Sequence, residues 1–73
     1  MSGSRAPILV DVKKLRIRLK MSQSQFSSAF GISIYTLRKW EGGLRHPHGT
    51  GRVLLMVISH SPETVKEAVG IAA

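Results

Sequence analysis

The sequence predicts an all-α fold of five short helices built around a helix-turn-helix unit, and three observations lead there. Residues 22–41, SQSQFSSAFGISIYTLRKWE, hold two capped helical segments whose linker shrinks to about three residues, too short for anything but a corner between helices. The apolar residues of the flanking segments recur at steps of three and four instead of alternating. Turn-forming residues, namely Gly31, the glycines of 42–51 and Pro62, fall between these segments.

Taken in order, residues 1–7 (MSGSRAP) are small, polar and turn-prone, and are expected to form a flexible arm ahead of a single domain at 8–73. They lack the apolar stretch of a signal peptide, and a lone Arg5 is thin support for a minor-groove arm. Ile8, Val12, Leu15 and Leu19 make one stripe of a first helix over 8–20, with Asp11 as a candidate cap that would begin its regular part near Val12. Ser22 then caps a second helix, about 23–30. Gln25 completes a capping box, Met21 and Phe26 stand at the positions of a hydrophobic staple, and Gly31 supplies the positive φ of a helix terminus.

Ser33 caps a third helix, about 34–41. At 100° per residue, Trp40, Ile34 and Glu41 lie within about 60° of Leu37, whereas Tyr35 and Lys39 fall near the opposite pole with Thr36 and Arg38 on the flanks. One face is therefore core and the other basic and hydrogen-bonding. Ile34 is compatible with either face. Trp40 is expected in the core, where truncation to alanine would cost about 3–5 kcal/mol. Residues 42–51 (GGLRHPHGTG) read as a loop, with Arg45 and Arg52 at its edges. Val53 to Ile58 is apolar all round, too short to cross a membrane, and fits a fourth helix at about 50–59, either wrapped by the others or shared with a second chain. Ser61 and Pro62 form a cap and first-turn pair for a last helix that Gly70 is expected to stop, and a dimer contact built from the last two helices is expected.

Composition narrows the function. The chain has 73 residues, no cysteine and a net charge of +7, and all but Arg5 and Lys66 of its eleven Lys and Arg residues lie between Lys13 and Arg52, a span with Glu41 as its lone acid. Charge clustered in this way favours a polyanionic partner. The missing cysteines remove thiol chemistry and fit a reducing cytoplasm. With four acids and serines placed mostly at caps, no catalytic constellation forms, so the chain is expected to be no enzyme and to need no cofactor. His46, His48 and His60 make a poor zinc set without a fourth ligand, and no metal is expected.

The pattern SQxxFxxxFGISxxTLxxWExG, preceded by a helix carrying Arg16, resembles the Cro/C1-type (Xre) helix-turn-helix family. The segment TLRKWEGGLRHP, a short apolar helix after it and the Pro62–Glu63 start of the last helix are most similar to the HigA-type antitoxins of that family. The resemblance spans about residues 11–70 and implies a five-helix, lambda-repressor-like DNA-binding domain. It further implies that Gln23 contacts phosphate, that Ser33, Ile34, Tyr35, Thr36 and Lys39 face DNA, and that Arg16 and Glu41 form a structural ion pair. Ile34 and Tyr35 are less polar than many members carry there, and Lys20 stands where a small residue is frequent. The chemistry of the side chains agrees: Arg38, Lys39, Arg45 and Arg52 can neutralise phosphates, Arg38 or Lys39 can donate to guanine, and Tyr35 and Ile34 can meet a thymine methyl. The expected function is a dimeric, cytoplasmic repressor that reads a palindromic operator in double-stranded DNA near its own promoter. The alternative is an antitoxin that neutralises an RNA-cleaving toxin and regulates its own operon.

Overall fold

A computed structural model of the chain describes residues 10–72. The expected arm at 1–7 and the Ile8 end of the first stripe lie outside the described residues. Five α-helices follow in order: α1 (Val12–Arg18), α2 (Gln23–Phe30), α3 (Ile34–Glu41), α4 (Gly49–His60) and α5 (Pro62–Ala72). No strand occurs among the described residues.

Each of the first three helices starts on a side-chain cap. The Lys14 N–H donates to Asp11 Oδ1 at 2.9 Å. Ser22 and Gln25 close a reciprocal capping box at 3.0 and 2.8 Å. Ser33 Oγ accepts from the Tyr35 N–H at 3.2 Å. Such caps satisfy amide donors that have no partner inside the helix, each at about 1 kcal/mol.

The same three helices also end alike. A residue at positive φ follows each of them, Lys20 at 59°, Gly31 at 68° and Gly43 at 76°. The next N–H then folds back to a carbonyl in the last turn: Met21 to Arg16 at 3.2 Å, Ile32 to Ser27 at 3.1 Å and Leu44 to Lys39 at 3.0 Å. This is the Schellman closure, which suits glycine because a Cβ clashes with the carbonyl in the left-handed region. At the first of the three sites the chain carries lysine instead. The turn ends α1 at Arg18, two residues before the expected limit at Lys20.

The core forms where these helices converge. Phe26, Leu37, Leu55 and Ile58 are fully enclosed, with Val12, Leu15, Phe30, Ile32 and Val65 around them. The Phe26 and Phe30 rings meet edge to face with centroids 4.8 Å apart. Enclosing a Phe or Leu side chain contributes about 1.5–3 kcal/mol, so this cluster supplies most of the gain available to so small a domain. Three expectations need correction here. Trp40 is half-buried and packs against the edge of the core, where a Cβ on Gly51 would come within 3.2 Å of its ring. The glycine loop is shorter than read, because α4 begins at Gly49 and takes Gly51 into its first turn, directly beneath that ring. Gly70 does not stop α5, which continues to Ala72: the glycine keeps helical geometry, and the preceding Val69 is anchored on the core beside Gly31.

Lys20→Gly is expected to stabilise the domain by about 1 kcal/mol, since glycine relieves the left-handed clash and offsets only part of it through greater freedom when unfolded. Urea denaturation of both chains checks this. An unchanged or lower midpoint would show that Lys20 carries no strain.

Candidate nucleic-acid interface

The orientation of α3 follows from one side chain. Leu37 is fully enclosed, and at 100° per residue this turns Tyr35, Arg38 and Lys39 outward. Tyr35 is 71% exposed, an unusual position for an aromatic ring in a chain with so few of them. Ser33 is exposed with its hydroxyl committed to the cap, and Ile34 and Thr36 sit half-buried on the shoulders of the helix. Ile34 does not join the core cluster, so its side chain borders the outward face.

The loop after α3 is tied to that face. Both the Leu44 and the Arg45 N–H donate to the Lys39 carbonyl, at 3.0 and 3.3 Å. This closure holds the exposed Arg45 beside the last turn of α3, next to Arg38 and Lys39. Leu44, 83% exposed at the tip, is the one residue of the three closures that does not fold its apolar side chain back onto the domain. Arg52 differs from Arg45: it is half-buried in the first turn of α4, and its Nε is enclosed without a hydrogen-bond partner.

Beneath α3 lies a polar network that joins three helices. Arg16 of α1 grips Glu41 of α3 with two parallel bonds, Nε to Oε2 at 2.7 Å and Nη2 to Oε1 at 2.9 Å. Its remaining terminal nitrogen donates to the Met21 carbonyl at 3.0 Å, and Gln23 of α2 adds Nε2 to Glu41 Oε1 at 3.2 Å. The two ionised side chains are only 14% and 6% exposed. The Arg16 hydrogen bonds hold the Glu41 carboxyl below the usual carboxylate range against the opposing effect of burial, with smaller help from Gln23 and from the charges of Arg16 and Lys13. Gln23 is thus engaged inside the chain. One amide hydrogen and the amide oxygen are left for any outside contact.

The outer face of α3 and its loop consequently present Arg38, Lys39 and Arg45 with the nearby Glu41 neutralised from within. A helix with cations, a hydroxyl and an aromatic ring on one exposed side has the shape and chemistry to enter a groove of duplex DNA. His46, His48 and His60 do not converge, and no group of three or more metal-ligating side chains occurs among the described residues. Sequence reasoning missed the Met21 carbonyl as a ligand of Arg16, and the bond of Arg18 Nη2 to the Ser59 carbonyl at 3.0 Å that straps α1 to the end of α4. The first depends on the geometry of the turn after α1 and the second joins residues far apart along the chain, so neither leaves a periodic signal.

No protein-family model matches the chain, and no curated protein does. Among solved structures it is similar to the crystal structure of an HTH XRE-family-like protein from Agrobacterium tumefaciens, at 36% sequence identity and a TM-score of 0.78. That match covers 81% of this chain and 95% of the other.

Because the Glu41 carboxyl is held low, its contribution to stability is complete at pH values above the ordinary carboxyl value of about 4.5 and is lost as pH falls through the lower pKa of the folded state. Glu41→Gln, which keeps the shape but loses the charge-assisted hydrogen bonds, should therefore lower stability at pH 7 by about 1.5–3 kcal/mol and by much less at strongly acidic pH. Urea titrations of the wild type and the variant across pH check this; a pH-independent difference would mean that the carboxylate charge does not contribute.

Proposed function

Since the chain belongs to the helix-turn-helix XRE family, we propose that it is a sequence-specific DNA-binding transcriptional regulator, acting in the cytoplasm as a dimeric repressor. The observation that carries this reading is the outer face of α3, where Tyr35, Arg38 and Lys39 stand exposed beside Arg45 while Leu37 anchors the helix from behind. Arg38 and Arg45 take phosphates on either side of the groove. Lys39 donates to a base edge, Thr36 reaches an edge or a phosphate from the shoulder, and Tyr35 packs against a thymine methyl, with Ile34 adding apolar surface beside it. Ser33 sets the start of the helix at the groove. The free amide groups of Gln23 bind phosphate at the start of α2, and Arg52 does so from the start of α4. Two such units on a symmetric pair of half-sites would read a palindromic operator, and binding near its own promoter would repress it.

A second reading, that the same protein neutralises a small RNA-cleaving toxin, is supported by the likeness of TLRKWEGGLRHP to HigA-type antitoxins. Co-expression with the product of a neighbouring small gene and co-purification tests it; failure to co-purify removes it without touching DNA binding.

Tyr35→Ala and Lys39→Ala should each reduce the preference for operator over scrambled duplex by about 1–3 kcal/mol of discrimination, with unchanged helicity by circular dichroism. Arg45→Ala should weaken binding to both duplexes alike and lower the salt dependence by about one counterion. Equal effects of all three on both duplexes would remove α3 as the reading element.

A further inference from the structure

The closure after α3 differs from its two counterparts in where its apolar residue goes. A Schellman closure commonly brings the apolar residue that follows the positive-φ position back against the last turn of the helix. After α1 and α2 the chain behaves in this way: Met21 packs against the core and Ile32 is buried. After α3 the facing pair is Leu44 and Lys39, and the charged end of Lys39 draws its side chain out toward water. Leu44 is left 83% exposed. Yet it does not sit on a trailing segment. Its own N–H and that of Arg45 both donate to the Lys39 carbonyl, and the half-buried Pro47 lines one groove with Val12 and Trp40. The leucine is thus held outward at the end of the reading helix, among the exposed Arg38, Lys39 and Arg45.

We propose that Leu44 is a specificity-determining residue that meets a thymine methyl at the edge of the operator half-site; this deepens the sequence-reading proposal above and rests on it. The cations around Leu44, in a chain of net charge +7, draw a polyanion to this spot and repel a basic partner or a second copy. Duplex DNA is such a polyanion, and the apolar points it presents in the major groove are the methyl groups of thymine. With Arg45 on a phosphate the loop tip lies at the rim of the groove, and Leu44 stands one backbone hydrogen bond from the turn that carries Lys39. The neighbours then divide the work. Arg45 brings charge without sequence, and Leu44 brings a preference among bases without charge. A leucine also has less rotamer freedom to lose on contact than the long cations beside it.

Fluorescence anisotropy of the full chain on the duplex upstream of its gene, and on the same duplex with each thymine exchanged in turn for deoxyuridine, tests this, because the exchange removes the methyl and nothing else. The wild type should lose about fourfold in affinity at each thymine whose methyl is buried against the protein. Leu44→Ala should bind the parent duplex at least about fourfold more weakly and become indifferent to one of those exchanges in a half-site, while it keeps the wild-type response to the others. Its helicity and salt dependence should not change, since no phosphate contact is lost. Leu44→Met should restore the missing response. A Leu44→Ala chain that binds as tightly as the wild type overturns the proposal and leaves the leucine to a protein partner. One that binds more weakly but responds to every exchange as the wild type does overturns it as well. A wild-type chain that binds the upstream and scrambled duplexes alike instead overturns the sequence-reading premise, and this proposal with it.

Discussion

The Arg16–Glu41 clamp is the constraint on which the rest of this small domain depends. It joins the last residue of α3 to α1, recruits Gln23 from α2 and the Met21 carbonyl from the turn between α1 and α2, and so touches every element around the helix-turn-helix corner. Its energy need not be large. Taking two charges out of water cancels most of their mutual attraction, and an apolar pair of the same shape could stabilise the fold as well. What the forked guanidinium adds is direction, because two parallel bonds fix an angle that packing among leucines would leave loose. The angle in question is the one at which α3 stands out from the domain.

The remaining devices serve the same end. Leu37 sets the rotation of α3, Ser33 sets its start, and the Gly43 closure returns the chain to the Lys39 carbonyl so that Arg45 is held beside the helix instead of trailing from it. All three act through groups satisfied inside the chain, which leaves the outward side chains free for contacts elsewhere. Trp40 seals the far edge by lying across Gly51 at the start of α4, where a Cβ would come within 3.2 Å of its ring and push it back by a few tenths of an ångström.

Much of this architecture was legible in the sequence because local chemistry specifies it. The Ser22–Gln25 capping box, the staple around it, Gly31 and the Ser33 cap are short-range signals, and α2 and α3 begin and end where those signals place them. The outward placement of Tyr35 and Lys39 followed from periodicity once Leu37 was taken as core. Boundaries failed where tertiary packing overrode local preference. Gly70 remains helical, with Val69 held beside Gly31, whereas α4 starts within a residue of its expected position. The Lys20 turn was illegible for a different reason: lysine is a poor residue for positive φ, and the two hydrogen bonds that pin it there come from the end of α1 rather than from its own side chain. The engagement of Gln23 with Glu41 and the strap from Arg18 to Ser59 are long-range contacts that no single-sequence pattern encodes.

The central claim, that the exposed face of α3 reads DNA sequence, is tested most directly by fluorescence anisotropy of the full chain on the duplex immediately upstream of its gene and on a scrambled duplex, each at two salt concentrations. The account predicts that the upstream duplex binds at least about a hundredfold more tightly at the higher salt, where nonspecific phosphate contacts are weakened and base contacts persist. Equal affinity for both duplexes, abolished together by salt, would contradict it and reduce the basic face to nonspecific attraction.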